Sequence, residues 1–486
     1  MGYSQFLNMV PEFYLVCILL VVFFMDFFFS RKSGRDHEVF GGVTIGLMLV
    51  LPVRIAFLSE PSEAFGGMYV ASQAANVMKV ILSIGTVIVL IMAEPWLKNE
   101  AQKHRGEFYL LMLSTLLGMF IMVSSGSFLL FFLGLETASV PMACLVAFDK
   151  WKKKSAEAAA KYILVATFSS GVMLYGISFV YAATGTLYFD DVANVLFGTN
   201  PLYEGVTPLT ILGLVFFFSG LAFKLSLVPF HFWTADTYEG APTPVTGYLS
   251  VCSKGAAAFA AMVILTKAFA PLVEYWEYML YVLIVLSITI ANLFAIRQSE
   301  LKRFMAFSSI SQAGYIMLAV IGASQTGMAS LMYYVLVYVV ANMAVFTVIS
   351  TIEQNNGGTT AMSSYDGLYQ TNPKLAFLMT LALFSLAGIP PFAGMFSKFF
   401  VFMAAAQQGS FWAYFVVFIA LINTVVSLYY YLLIVKAMYI NKTETPLPAF
   451  KTDGNTRFAL ALCTLGIALF GLCSCIYEWL FAASAM

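Results

Sequence analysis

The 486-residue chain is 61% hydrophobic and 10% charged, with a mean hydropathy of +0.86, whereas a water-soluble globular chain carries roughly 25% charge. Lysine and arginine together number 25, as do aspartate and glutamate, so bulk electrostatics point to no nucleic-acid partner. What remains is an integral membrane protein, and recurring apolar stretches of about 20 residues suit spanning helices better than barrel strands of about 10 alternating residues.

No basic region and small-residue cleavage site precede the first apolar run, which reads as a retained span. Spans are predicted at 10–30, 39–58, 74–93, 107–123, 126–148, 157–183, 207–229, 243–266, 275–296, 303–322, 327–352, 374–405, 411–436 and 457–482, fourteen in all. The six cysteines, at positions 17, 144, 252, 463, 473 and 475, show no C-x-x-C or related ligand spacing, which argues against an iron–sulfur or zinc site. They read as apolar filler.

Loop cations set the orientation, because cytoplasmic loops retain Lys and Arg. Arg31, Lys32 and Arg35 follow the first span, Lys98, Lys103 and Arg105 the third, and Lys150 and Lys152 to Lys154 the fifth. Arg297, Lys302 and Arg303 follow the ninth, Lys374 precedes the twelfth, and Lys436, Lys442, Lys451 and Arg457 follow the thirteenth. All fall on one side of a fourteen-span arrangement, with Arg54 and Lys267 near the other, so both termini are expected to face away from the cytoplasm.

Lys79, Lys161, Lys224, Lys254 and Lys398 fall within spans. Each at the bilayer centre costs about 2.5 to 3.5 kcal/mol on the insertion scale. Snorkelling is expected to relieve Lys79 and Lys161 near span ends; Lys224 and Lys398 have long apolar flanks on both sides. Asp26, Glu136 and Glu157 are the acidic residues read within or at the entrance of spans. Glu136 reads either as a neutral or structurally paired carboxyl or as a titrating partner of a buried lysine, and Lys79 and Asp26 read as structural. Lys302 reads as a relay group or as a snorkelling loop-side cation.

Two spans read as interrupted, each pairing a proline with a lysine in the same crossing. In residues 220–254, GLAFKLSLVPFHFWTADTYEGAPTPVTGYLSVCSK, Lys224 precedes Pro229, His231 and Trp233 follow, a short acidic loop is expected to carry Asp236 and Glu239, and Lys254 stands in the next apolar run. In FSLAGIPPFAGMFSKFFVF, Pro390 and Pro391 break the ladder between Gly388 and Gly394, and Lys398 follows. Two proline-broken spans five apart point to an internally repeated transporter with its ion path at the breaks. The expected fold is therefore an all-α polytopic membrane protein with about fourteen transmembrane helices, two pseudo-symmetric five-helix repeats and discontinuous helices 7 and 12. The expected divisions are 1–105 for helices 1–3, 106–270 and 271–440 for the two repeats, and 441–486 for the last loop and helix.

The stretch F-K-L-S-x-V-P-F-H-x-W-x-x-D-x-Y-E-G-A-P-T-P-V-T, the S-K at Ser253 and Lys254, LKRFMAFSSISQAGY at 301–315, LAGIPPFAGMFSK and the GLE ending at Glu136 closely resemble the antiporter-like membrane subunits of complex I, over about 105 to 440. Within that family, P-F-H-x-W and S-K separate one paralogue from the two others, one of which carries a long C-terminal lateral helix for which no room is expected here after the last span. The resemblance implies that Glu136 and Lys224 form the ion pair of a first half-channel. It also implies that Lys254, with His231 close by, connects along the midplane, and that Lys398 serves the second half. Lys161 matches a family lysine and reads equally as a relay or as a structural or gating group. Ala235 departs from the proline common at its position, which is expected to alter only the local loop.

The resemblance further implies a bacterial inner-membrane location and a proton-translocating role in NADH:quinone oxidoreductase. Partners would be an M-type antiporter-like subunit, small K-, J- and A-type subunits, and the lipid bilayer. Moving one charge against 100 mV takes about 2.3 kcal/mol, and no Gly-rich nucleotide loop, flavin fingerprint or metal-ligand cluster is visible in the sequence. No cofactor is expected in this chain; FMN, iron–sulfur clusters and quinone are expected in partner subunits. The alternatives are a subunit of a multi-subunit cation/proton antiporter, a membrane subunit of an energy-converting hydrogenase, and a scaffold whose charges only hold its neighbours. The segments 185–206 and 441–456 read as solvated loops or contact surfaces.

Overall fold

A computed structural model of the protein describes residues 3–29, 35–199, 205–443 and 446–485. Helices α1 (Val10–Phe29), α2 (Arg35–Leu58), α3 (Gln73–Asn99), α4 (Arg105–Val123), α5 (Phe128–Val146) and α6 (Lys153–Thr184) correspond to the first six predicted spans. A short α7 (Phe189–Leu196) precedes the broken seventh crossing, made of α8 (Pro208–Leu225) and α9 (Phe232–Gly240). The eighth crossing runs from α10 (Thr243–Tyr248) through one wider π turn (Leu249–Ser253) into α11 (Lys254–Thr266). Next come α12 (Val273–Ala295), α13 (Leu301–Ile321), α14 (Gln325–Asn355) and a short α15 (Leu368–Thr371). The broken twelfth crossing is α16 (Pro373–Ala387) and α17 (Ala393–Ala406), and α18 (Phe411–Tyr439), α19 (Gly454–Leu472) and α20 (Cys475–Ala483) complete the order. Among the described residues 13 helical stretches are long and apolar enough to cross a membrane, and α16 and α17 end to end supply one more.

Lipid offers no partner to a free backbone group, so helix ends must be satisfied within the protein. Ser72, Ser127, Ser324 and Ser410 each accept a hydrogen bond from a first-turn N–H, and Thr207 and Thr210 cap α8 reciprocally ahead of Pro208. Every residue of the apolar windows of α13 and α14 is buried, which makes these two helices the centre of the bundle. α1 and α18 turn most of their apolar windows outward, with Phe23, Phe24, Phe415 and Phe418 exposed where lipid would cover them.

Several sequence expectations are corrected. The last span does not run to 482: α19 stops at Leu472, Cys473 is extended, and α20 is a separate helix. Gly471 explains the close packing there, since a Cβ on it would lie 2.8 Å from the Pro391 carbonyl oxygen and the Ala393 nitrogen, so α19 ends against the gap between α16 and α17. Lys79 does not snorkel. Its side chain is 0% exposed and pairs with Glu12 at 2.7 Å, while Tyr69 accepts from Lys79 at 3.0 Å and donates to Glu12 at 2.8 Å.

Tyr69 is carried by a three-residue antiparallel hairpin, β1 (Ser62–Ala64) and β2 (Tyr69–Ala71). Arg105, read as a loop cation, is buried and pairs with Glu94, to which Tyr109 also donates. Asp26 packs against Gly106 at the start of α4. Part of the segment read as solvated at 185–206 folds as α7, whose Phe189 ring lies 5.0 Å from that of Phe128. Asp236 and Glu239, expected in a short acidic loop, lie instead in helix α9. Arg31, Lys32 and the side chains of Arg35 and Lys103 lie outside the described residues, as do 200–204 and 444–445 of the two longer connecting segments.

Candidate functional site

The seventh crossing breaks at residues 226–231. Ser226 caps α8 in the left-handed region at φ +63, a conformation that is strained for a residue other than glycine. Val228 N then donates to Ser287 Oγ at 2.9 Å. Trp233, in the first turn of α9, donates to the Phe223 carbonyl at 3.2 Å and closes the loop over the end of α8. The twelfth crossing breaks likewise after Gly388, at φ +88. The lysines sit on opposite sides of the two gaps: Lys224 ends the helix before the first, and Lys398 lies in the helix after the second.

Lys224 is buried, and its Nζ donates to Ser139 Oγ of α5 at 2.8 Å. The expected direct ion pair with Glu136 is not formed; Glu136 lies one turn away on the same helix and is half-buried. Tyr162 of α6 packs on Trp233 with centroids 5.2 Å apart, and its buried hydroxyl has no protein partner.

Lys254 follows the π turn directly and is 1% exposed. It donates to Ser309 Oγ at 2.6 Å, and Ser309 is 3.1 Å from the hydroxyl of Tyr238 in α9. A turn of π-helix is a recurrent local irregularity at functional positions; here it precedes the amine. His231 is buried at the first break with its Nδ1 lacking a protein partner.

From Ser309 a line of neutral polar groups runs along α13. Ser308 Oγ and Tyr431 OH are 2.5 Å apart, and Gln312 Nε2 lies 3.2 Å from Tyr431 OH and 3.3 Å from the Leu386 carbonyl. Tyr334 donates to Gln312 Oε1. Next to Leu386, the carbonyl of Ala387 accepts from Lys398 Nζ at 2.9 Å, with the amine 5.1 Å above the Tyr315 ring. Lys254 and Lys398 thus each lie at the end of a buried polar group, and the two groups meet at the neighbouring residues Ser309 and Ser308 of α13. Sequence reasoning missed their other members, Ser308, Ser309, Gln312, Tyr334 and Tyr431, because uncharged side chains in apolar helices raise no alarm. The available signal was spacing: positions 308, 309, 312 and 315 share one face of a helix.

Lys161 is placed elsewhere. Its side chain is 44% exposed, and its Nζ lies 2.7 Å from both Glu157 and Asp236. Arg303 reaches Asp236 and Glu239 at 2.8 Å, and Lys154 reaches Glu239 at the same distance. This network fastens α9 to α6 and α13, and Lys161 lies outside the buried polar groups. Lys302 does not snorkel either. It is buried, donates to the Ala241 carbonyl at 2.7 Å and lies 3.8 Å from Glu353.

The room for Lys398 depends on one glycine. A Cβ on Gly388 would meet Lys398 Cδ at 3.0 Å, and an L residue in the left-handed region costs about 1 to 2 kcal/mol. Gly388→Ala is expected to lower the thermal stability of the purified complex and to displace the amine, reducing proton uptake; unchanged melting and uptake would show that the break tolerates a side chain.

Two crossings broken within their apolar runs, with amines held at and between the breaks, define an antiporter-like membrane subunit. The family described as NADH:quinone oxidoreductase/Mrp antiporter, TM, matches residues 125–424. NADH-quinone oxidoreductase subunit N of Phocaeicola vulgatus is 57% identical over 99% of both chains. The subunit N of Azobacteroides pseudotrichonymphae is 49% identical over 99% of this chain and 98% of its own. A chain of respiratory complex I from Thermus thermophilus superposes with a TM-score of 0.77 at 30% identity, covering 96% of this chain and 98% of that one. A chain of the Mrp complex from Dietzia sp. has a TM-score of 0.84 at 21% identity over 99% of this chain and 97% of that one, a likeness of fold alone. The chain belongs to this family, and within it to the NADH-quinone oxidoreductase subunit N group.

Proposed function

We infer that the chain moves protons across the inner membrane as part of the membrane arm of an NADH:quinone oxidoreductase, driven by quinone reduction in partner subunits. The observation that carries this reading is the pair of buried polar groups that meet on α13, one from Lys254 to Ser309 and the other from Ser308 through Tyr431 and Gln312 to the Leu386 carbonyl, beside the Ala387 carbonyl that holds Lys398. Glu136 and Lys224 act at the entrance. A carboxylate brought close favours the protonated amine; in this structure the amine donates instead to Ser139, and the cycle alternates between the two contacts to pass the proton onward. Tyr162 and His231 present buried polar atoms without protein partners, groups of the kind that ordered water serves. The five-helix repeats at 106–270 and 271–440 each supply one broken helix. Both termini face the periplasm, the redox chemistry and its FMN, iron–sulfur clusters and quinone belong to partners, and the neighbours are M-, K-, J- and A-type subunits.

Lys224→Ala and Glu136→Ala in the assembled enzyme test this. Proton uptake coupled to quinone reduction is expected to fall sharply in both while assembly persists; normal uptake in both excludes the assigned entrance. Co-purification separates the rival readings: flavin and iron–sulfur absorbance in the isolated complex supports this one, whereas cation exchange by a flavin-free assembly supports the antiporter.

A further inference from the structure

We propose that the groove between the first turns of α16 and α19 binds one anionic phospholipid, its phosphate held by Lys374, Lys451 and Arg457. The groove is a cavity of about 830 Å³ that opens where both helices begin. The three cations stand at its mouth and no carboxylate lines it. Among the described residues none of the three takes part in an ion pair. Arg457 is braced by Thr452, donating to its Oγ1 at 3.1 Å and its carbonyl at 2.8 Å. The positive ends of the two helix dipoles point the same way.

Beneath the mouth the walls become apolar, formed by Leu375, Leu378, Leu460 and Leu465. Leu465 lies 11 residues beyond Gly454, so the groove descends roughly 16 Å at about 1.5 Å per residue, half of a hydrocarbon core about 30 Å thick. Positive charge therefore lies at headgroup depth and apolar surface at acyl-chain depth, a match to a lipid that free phosphate does not exploit. The far wall is preformed. Asn372 donates to the Pro448 carbonyl at 3.3 Å and accepts from Phe450 N at 3.4 Å, fastening the connecting segment across the start of α16. Asp453, the nearest described carboxylate in the connecting segment, accepts from Asn455 N at 3.2 Å and lines a separate cavity with Glu94 and Lys98. This reading needs the groove only at headgroup depth, on either face, and stands apart from the proton path.

The test places the assembled complex in nanodiscs containing photoactivatable phosphatidylglycerol or its phosphatidylcholine counterpart, with cross-linked peptides read by mass spectrometry. A cation near an anionic bilayer surface is worth about fivefold in binding, so phosphatidylglycerol is expected to label 373–387 and 454–472 at least about fivefold more than phosphatidylcholine. The K374Q/K451Q/R457Q triple variant is expected to lose more than about tenfold of that label, while labelling elsewhere and quinone reduction are unchanged. Equal labelling by the two lipids, undiminished labelling in the triple variant, competition by excess inorganic phosphate, or cross-links to a neighbouring subunit in place of lipid would each overturn the proposal.

Discussion

Lys254→Met is expected to give a complex that assembles and reduces quinone but carries far fewer protons through this subunit. Methionine approximates lysine in volume, so no large cavity opens, and volume-conserving core exchanges usually cost less than about 1.5 kcal/mol. The groups left behind remain satisfied, since Ser309 and Tyr238 lie 3.1 Å apart and bond each other. Removing a buried charge also removes its desolvation cost. Transport has no such substitute. Without the amine, a charge crossing the gap meets at least the insertion-scale cost of about 2.5 kcal/mol, which slows it roughly 70-fold. Proton uptake by sealed vesicles, normalised to quinone reduced, reads the effect. Uptake equal to that of the parent enzyme would remove Lys254 from the path. Ser309→Ala is the informative companion, because it leaves the Lys254 amine without its hydrogen-bond partner.

The largest expected effect on stability lies outside these polar groups. Lys79→Ala strips the counter-charge from Glu12, which is buried at 4% exposure against α3, and leaving one member of a buried pair uncompensated costs about 3 to 5 kcal/mol. Tyr69 continues to donate to Glu12 but neutralises nothing. The expected outcome is a steep fall in recovered complex and in its melting temperature. A double variant, Glu12→Gln with Lys79→Met, is expected to recover most of the loss, because it deletes both charges together. A single Lys79→Ala variant as stable as the parent would show that the Lys79–Glu12 pair does not hold these helices together.

The two breaks were legible because proline and glycine interrupt apolar runs at 226–231 and 388–392, and backbone chemistry leaves few alternatives there. The amines at Lys224, Lys254 and Lys398 were legible because a charge in an apolar run is conspicuous. Glu12 was not: two residues into its span, it reads as an ordinary first-turn acid, and only tertiary packing brings Lys79 and Tyr69 to it. Lys79 and Lys302 misled in the same way, since closeness to a span end suggests snorkelling unless a buried acceptor waits there. The Ser139 contact was hidden too; sequence offers the carboxylate of Glu136 as the obvious partner and cannot say which turn of α5 faces the amine. Lys161 was left open between relay and structural parts, and its acidic partners come from α6 and α9 together.

The opposite placement of the lysines about the two gaps has a mechanical consequence. If the short segment after the first gap tilts, Lys224 stays fixed and the aromatic pair Trp233 and Tyr238 swings past it like a door. If the short segment after the second gap tilts, Lys398 itself is drawn away from the Ala387 oxygen like a bolt. Equal motions at the two hinges would therefore have unequal effects on the two amines, one beside a moving segment and the other on it.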